Sequence, residues 1–87
     1  MDDFTSQKTI LFRLVSQETL LFEGKVTRVF AKTVQGGIEI YPGHTPFCGI
    51  LVEGKIKICT FPDKQVELFY VSGGILEHQE NQLTILA

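Results

Sequence analysis

The chain has 87 residues, of which 44% are hydrophobic and seven are phenylalanine. This length fits one domain, and the composition is typical of a packed globular domain and excludes a disordered chain. The formal charge is −2 at pH 7. Because Lys and Arg residues do not cluster along the sequence, this charge argues against nucleic acid as the main partner. No run of about 18 or more apolar residues occurs, so no membrane-spanning helix is expected.

The N-terminal half reads as strands separated by short turns. Residues 1–8 are polar and lack the apolar stretch of a signal peptide, so we expect them to be frayed. Apolar and polar residues alternate from Thr9 to Val15, which predicts a strand. A short apolar segment, Leu20–Phe22, is ended by Gly24, and a longer strand is predicted from Lys25 to Val34.

The hydrophobic pattern of that longer strand changes face partway along it. Val26 matches one face, whereas Val29 and Ala31 match the other. One extra residue near Thr27 and Arg28 would reverse the faces, because side chains alternate along a strand. The pattern therefore predicts a β-bulge at this point.

Five further strands are predicted in the C-terminal half, at Phe47–Val52, Lys55–Phe61, Gln65–Val71, Ile75–Gln79 and Gln82–Leu86. With the short strand around Ile38 and Ile40, the total is nine or ten strands, and no segment has a helical period. We therefore predict an all-β fold, an antiparallel two-sheet β-sandwich or flattened barrel of about ten short strands. Residues 1–87 would form this single domain.

The two cysteines are too few for a disulfide scaffold. If Val52–Lys55 forms a tight hairpin turn, Cys48 and Cys59 face each other across the hairpin. A disulfide would be possible in that geometry. Because the N-terminus indicates a cytoplasmic protein, we expect two reduced thiols that serve as small hydrophobic residues.

Neither histidine stands in a recognisable catalytic or metal-binding arrangement. His44 lies between Pro42 and Pro46 on a loop that the prolines should stiffen, and stiff loops on a sheet often serve recognition. We consider a partner contact, a loop-organising hydrogen bond, and catalysis or metal binding for it. His78 alternates with polar residues and is expected in an exposed turn. Two histidines this far apart in the sequence are a poor zinc signal.

Two glycine pairs punctuate the strands, at residues 36–37 and 73–74. The second pair has the composition of a phosphate-binding nest, but no P-loop residues follow it. A chain reversal, or a place where strands approach closely, is the favoured interpretation of this pair. For the first pair, a turn and a contact role are about equally favoured.

Two motifs at a fixed separation carry a family resemblance. The first is GGIEIYPGHTP at residues 36–46, and the second is SGGILE at residues 72–77, followed by a final strand ending in LTILA at residue 87. In their order and spacing they resemble the N-terminal β-sandwich of the epsilon subunit of F-type ATP synthase. The resemblance extends from about Thr9 to Ala87.

The resemblance implies a non-catalytic rotor subunit of the central stalk, without cofactor or metal, that couples ion translocation to ATP synthesis. Its partners would be the gamma subunit and the c-ring, so membrane association would arise only through the complex. The location would be the cytoplasmic face of the bacterial inner membrane, with an organelle as the alternative. The implied c-ring contacts are Gln35, Gly36, Gly37 and Ile38, and the implied gamma contacts are His44, Thr45 and Cys48.

The chain departs from the family pattern in two places. Many relatives carry an acidic residue at the position of Gly37, and Glu39, expected on the opposite face of the strand, is a doubtful substitute. Relatives also continue beyond the position of Ala87 into a helical hairpin that inhibits ATP hydrolysis. Inhibition of ATP hydrolysis is therefore not assigned to this chain. The sandwich surface that the hairpin covers in relatives is expected to be exposed here. The form without the hairpin is expected to be natural.

Two alternatives to this function remain open. One is a diverged paralogue in an alternative ATPase, including a sodium-coupled one. The other is a free-standing sandwich that binds a ligand, which would require a pocket with convergent polar groups.

Overall fold

One long strand organises the computed structural model, which describes residues 9–87. The strands are β1 (Ile10–Ser16), β2 (Thr19–Thr33), β3 (Gly36–Ile40), β4 (Phe47–Leu51), β5 (Gly54–Thr60), β6 (Val66–Val71), β7 (Gly74–Gln79) and β8 (Gln82–Leu86). These are eight strands where about ten were predicted. The main reason is that β2 continues through Gly24, which pairs with Phe12 of β1 without a break. No helix long and apolar enough to cross a bilayer occurs among residues 9–87.

The strands form one continuous sheet that folds over on itself into a sandwich. The N-terminal half of β2 pairs with β1, and β8, β7 and β4 follow in that layer. The C-terminal half of β2 pairs with β3 and β5, and β6 completes the second layer. The predicted all-β sandwich is confirmed, with one departure from the antiparallel expectation, since β1 and β8 run parallel.

The predicted bulge in β2 is confirmed. The register between β2 and β5 shifts between Val26 and Arg28. Val26, Val29 and Ala31 are consequently all buried, although strict alternation would place Val26 and Val29 on opposite faces. The bulge lets one strand contribute inward side chains to both layers.

The predicted hairpin between β4 and β5 is wrong. β4 pairs with β7, which places Cys48 opposite Glu77, whereas β5 pairs with β2 and β6 and places Cys59 opposite Val66. The chain passes from one layer to the other between β4 and β5. Cys48 and Cys59 therefore do not face each other, and both thiols are free.

The inward side chains of both layers form one apolar core. Its largest buried members are Ile10, Phe12, Leu14, Ile40, Ile56, Ile58, Leu76, Leu83 and Ile85. An aromatic chain links β1, β2 and β6, because the ring of Phe22 lies 5.8 Å from that of Phe12 and 5.9 Å from that of Phe69. Such ring pairs add stability beyond the area they bury.

The glycine pair between β6 and β7 permits a close approach of backbones, as the sequence indicated. Gly73 and Gly74 have φ angles of 153° and 143°, which side chains rarely adopt. A Cβ atom on Gly74 would lie 2.5 Å from the carbonyl oxygen of Leu86, whereas one on Gly73 would meet only Leu51 O, at 3.6 Å.

His78 is buried, so its predicted place in an exposed turn is wrong. It lies on the inward face of β7, 1% exposed, and the turn begins two residues later. Its Nδ1 lies 3.4 Å from the carbonyl oxygen of Thr45, while Nε2 has no hydrogen-bond partner within residues 9–87. Burial lowers the pKa of His78, and the neighbouring His44 lowers it further against the opposing effect of the Thr45 carbonyl.

We expect Gly74→Ala to destabilise the fold more than Gly73→Ala. Both changes impose the unfavourable φ, at a cost of about 1 to 2 kcal/mol. Only the change at Gly74 also pushes a methyl group into backbone atoms, for a total of about 3 kcal/mol or more. Urea denaturation of both variants measures the difference. Equal losses would show that the backbone around Leu86 moves freely to admit the methyl group.

We expect the stability of the protein to fall as the pH drops from 7.5 to 5.5. The lowered pKa means that the unfolded chain binds the His78 proton more tightly than the folded chain does. The stabilisation is therefore full above the ordinary histidine pKa of about 6.5 and declines below it, until His78 titrates in the folded state. Denaturation at several pH values measures this trend. The variant His78→Leu should show a smaller slope, and an identical slope in both proteins would contradict the assignment.

Candidate protein-interaction surface

The turn between β2 and β3 is held by the side chain of Thr33. Its hydroxyl donates to Gly36 O at 2.8 Å and accepts from the backbone N–H of Gln35 at 3.1 Å. Thr33 is buried, whereas Gln35, Gly36 and Gly37 are exposed. The turn thus presents backbone groups and one amide side chain on a fixed support. Of the four predicted c-ring contacts, only Ile38 points inward and is partly buried against the core.

Glu39 lies on the same face of β3 as Gly37, so the expectation that it lies on the opposite face is wrong. Residues two apart in a strand share a face, and Glu39 and Gly37 pair with Phe30 and Lys32 of β2. The Glu39 carboxylate accepts a 2.8 Å hydrogen bond from the hydroxyl of Tyr41. A hydrogen bond with Tyr41 also raises the pKa of Arg28, and the Glu39 charge contributes to this rise.

The loop that carries His44 is tied to the turn between β7 and β8. The N–H of Gly43 donates to the Asn81 side-chain oxygen at 2.7 Å, and Gly43 has a φ of 85°. Within the loop, the N–H of His44 donates to Tyr41 O at 3.1 Å. The prediction of a stiff loop agrees with these bonds.

His44 is half-buried and packs toward the sandwich. Its Nδ1 lies 2.7 Å from the carbonyl oxygen of Thr45, which can only accept, so the ring donates from Nδ1. The ring also lies 5.7 Å from that of His78 and 6.4 Å from that of Phe47. The loop-organising hydrogen bond considered for His44 is therefore present. Thr45 O lies near the imidazole rings of both His44 and the buried His78, and this shared contact joins the loop to the core.

A row of exposed aliphatic side chains crosses the outer face of the first layer, and the sequence analysis missed it. Ile75 pairs with Ile50 on one side and with Leu86 on the other, and the N–H of Val34 donates to Ile50 O. The exposed fractions are 61%, 59%, 52% and 54% for Val34, Ile50, Ile75 and Leu86. These four residues are called the aliphatic row below. The available signal was that β4 and β7 carry apolar residues on both faces.

A polar row runs beside the aliphatic row on the same face. Cys48 pairs with Glu77, Glu77 with Thr84, and Thr84 with Arg13. Arg13 in turn lies 3.5 Å from the carboxylate of Glu23, and both side chains are about half exposed. The outer face of this layer therefore consists of an apolar strip with a polar margin, the usual composition of a protein interface.

A shallow depression of about 160 Å³ joins this face to the turn between β2 and β3. It is lined by Gln35 from the predicted c-ring set, by Cys48 from the predicted gamma set, and by Val34 and Ile50 of the aliphatic row. The structure therefore brings Gln35 and Cys48 together. His44 and Thr45 come shortly before β4, at the same end of that strand as Cys48, and the His44 ring lies 6.4 Å from the ring of Phe47, which also lines the depression.

The described residues do not form a metal centre. No three His, Cys, Asp or Glu side chains within residues 9–87 are grouped so that they could hold a metal ion. The chemistry that this surface offers is apolar contact and backbone hydrogen bonding.

Comparison with known proteins identifies the family of this chain. Residues 9–87 match the model of the β-sandwich domain of the ATP synthase delta/epsilon chain. An ATP synthase epsilon chain of Psychrobacter cryohalolentis is 39% identical over 79 residues, which are 91% of this chain and 56% of that protein. One of Ruthia magnifica is 42% identical with the same coverage. The chain thus spans about half the length of the curated relatives that it matches.

Solved structures show the same fold. A chain in the mitochondrial ATP synthase of Euglena gracilis, in a structure of OSCP, F1 and c-ring, superimposes with a TM-score of 0.85 at 17% identity, covering 92% of this chain and 51% of that one. A chain in the central stalk and c-ring of the Tetrahymena thermophila enzyme gives 0.71 at 23% identity, covering 92% and 63%. The match over residues 9–87 and the identity to the curated relatives show that this chain belongs to the delta/epsilon-chain family of ATP synthase and corresponds to the β-sandwich domain of that family.

Proposed function

We propose that this chain is a non-catalytic rotor subunit in the central stalk of an F-type ATP synthase, where it links the gamma subunit to the c-ring. Its relatives are ATP synthase epsilon chains, and chains of the same fold occur in ATP synthase assemblies that contain the c-ring, which supports this role. Because the two relatives described above are bacterial, we place it at the cytoplasmic face of the bacterial inner membrane, with membrane association through the complex. The free-standing ligand-binding alternative is not favoured.

The aliphatic row is the observation that carries the proposal. Three aliphatic side chains on the adjacent strands β4, β7 and β8, together with Val34 in the turn after β2, are each more than half exposed. They form a strip whose contact with water is unfavourable. Burying such side chains against a partner supplies about 1 kcal/mol or more each at ordinary transfer values. The polar row at its margin, including Cys48 and Glu77, would supply directional contacts. We assign this face to the gamma subunit.

The turn between β2 and β3 is the proposed contact with the c-ring. Gln35, Gly36 and Gly37 are exposed there, and Thr33 holds them in place. At the position where many relatives place a carboxylate this chain has Gly37, so backbone groups and the Gln35 amide would make the contact. Glu39 points outward on the same face, but its carboxylate is engaged by Tyr41.

The role requires stiffness, because torque passes through the domain without any bond being made or broken. β2 connects the proposed c-ring contact to the core, since its last residue is Thr33 and its bulge feeds both layers. The His44 loop is secured by Asn81 and by the shared carbonyl of Thr45. We propose that His44 and Thr45 shape the end of the gamma-binding face, where Cys48 contributes directly.

We expect Ile75→Asp to weaken binding to the gamma subunit by about a hundredfold, since it would bury an uncompensated charge. The two chains would be co-expressed, with the gamma subunit encoded alongside this one, and separated by size exclusion. The wild-type chain should co-elute with gamma in a one-to-one complex. Phe61→Asp is the matched control, because Phe61 is also an exposed apolar residue (40%) but lies outside the aliphatic row. Phe61 follows β5, and its N–H donates to Lys25 O of β2. Equal binding by Ile75→Asp and wild type would remove the aliphatic row from the interface.

We expect Gln35→Arg to weaken attachment to the c-ring by about tenfold, because a long cation would occupy the backbone-rich contact. Binding of the complex with gamma to purified c-ring, measured by surface plasmon resonance, checks this. Gln17→Arg, in the exposed turn between β1 and β2, serves as the control. Binding to gamma should remain unchanged in Gln17→Arg. A loss of c-ring attachment of equal size in both variants would mean that charge alone, and not position, weakens attachment.

A further inference from the structure

The outer face of the second layer differs in character from the aliphatic row. Lys57 of β5 pairs with Phe30 of β2 on one side and with Leu68 of β6 on the other, and Lys55 pairs with Tyr70. Lys32 lies two residues beyond Phe30 on the same face of β2. Cationic and apolar side chains therefore alternate across this sheet. Half of the eight Lys and Arg residues of the chain lie on this face, namely Arg28, Lys32, Lys55 and Lys57.

An open groove of about 550 Å³ runs across this face. Phe30 forms one wall, and Val66, Leu68 and Tyr70 form the other, with exposed fractions of 56%, 53% and 74% for the last three. Lys32, Lys55, Lys57 and Gly54 complete the lining, which contains no carboxylate. This groove is called the lysine groove below.

The lysines contribute both charge and apolar surface to the groove. Lys55 Nζ lies 5.8 Å from the centre of the Tyr70 ring. Exposed lysines lay their methylene stems along apolar surface and keep their ammonium groups in water, so the three lysines give the groove apolar surface inside and positive charge at its rim. A groove with an apolar interior and a cationic rim is complementary to a segment with apolar residues along one side and carboxylates beside them. The protein as a whole has a charge of −2, so this positive face is a local feature.

The dimensions of the lysine groove fit one α-helix. Its walls stand on β2 and β6, which are separated by β5 and therefore by two strand spacings, or about 10 Å. An α-helix with its side chains is about 10 Å across. A bilayer fits less well, because an interfacial membrane site presents protruding apolar residues, whereas these residues surround a concavity.

We propose that the lysine groove is a docking site for an acidic amphipathic helix of a partner protein. Apolar side chains of the helix lie between Phe30 and Leu68, and its carboxylates pair with Lys32, Lys55 and Lys57. The site faces away from the aliphatic row and does not depend on the rotor assignment. It gives the domain a second interaction face with a different kind of partner.

A designed peptide tests this proposal. The probe is a fluorescent peptide of about 18 residues with Leu at helical spacing and Glu on both flanks, and its counterpart carries Lys in place of every Glu. We expect the acidic peptide to bind the full chain at least about tenfold more tightly than the basic one. Binding should weaken as salt is raised, since the lysines are exposed. In the NMR spectrum, the amide signals of Phe30, Leu68 and Tyr70 should shift.

Matched charge reversals locate the binding. The double variant Lys55→Glu/Lys57→Glu should lose at least about tenfold in affinity, whereas Lys25→Glu/Lys64→Glu, with the same total charge and both sites outside the groove, should bind like wild type. The neutral variant Lys55→Gln/Lys57→Gln, folded by its NMR spectrum, should lie between them. Equal binding of acidic and basic peptides, or equal loss in both reversed variants, would overturn the proposal. So would binding to phosphatidylglycerol vesicles without binding to the peptide, which would assign the face to a membrane surface.

Discussion

The sharing of β2 between both layers is the constraint on which the rest of this structure depends. In this 15-residue strand the inward residues change from even to odd positions, since Val26 and Val29 are both buried, and this is possible only if an extra residue lies between them. The shift between Val26 and Arg28 provides that change, so inward residues before and after it enter one core. Without the bulge, every apolar residue beyond it would face water. The bulge is therefore a condition of the sandwich.

The sandwich places two turns where they can make contact with other molecules, and internal hydrogen bonds hold both. Thr33 closes the turn between β2 and β3 through its hydroxyl, and Asn81 holds the loop of His44 through Gly43. His78 connects the same loop to the core, with its unpartnered Nε2 as the cost of that burial. The proposed rotor role would benefit from this arrangement, because these hydrogen bonds tie the contacts to the sheet.

The two outer faces of the domain have different chemistry, and each follows from the side chains that the sheet leaves outside. On one face, Ile50, Ile75 and Leu86 pair across neighbouring strands, so their exposed surfaces merge into the aliphatic row. On the other, Lys57 separates Phe30 from Leu68, so cationic and apolar surfaces are interleaved. The first face suits a partner with a matching apolar surface, and the second favours a partner with negative charge.

Local pattern was sufficient for much of the fold and insufficient for the pairing of strands. Alternation predicted β1, β5 and β8, and the reversal of phase in β2 predicted its bulge, because those signals arise within a few residues. The partners of β4 and β5 could not be read in this way. The short segment between β4 and β5 is compatible with a hairpin turn. That the chain instead crosses from one layer to the other there depends on the pairing of β4 with β7 and of β5 with β2 and β6. The family resemblance rested on two motifs, and the match over residues 9–87 confirms it.

The features of the candidate surface likewise divide into those that the local sequence determines and those that the tertiary structure decides. The sequence by itself determined the stiffness of the His44 loop, the glycine-rich turn and the need for glycine near Gly74, since these follow from local backbone limits. Tertiary structure decided that His78 is buried, that Glu39 shares a face with Gly37 and is held by Tyr41, and that Gln35 lies beside Cys48. It also assembled the aliphatic row and the lysine groove. Each feature combines a pair of consecutive strands, β7 with β8 or β5 with β6, with a strand that is distant in the chain, β4 or β2. The pairing of the distant strands is a long-range interaction that no local pattern encodes.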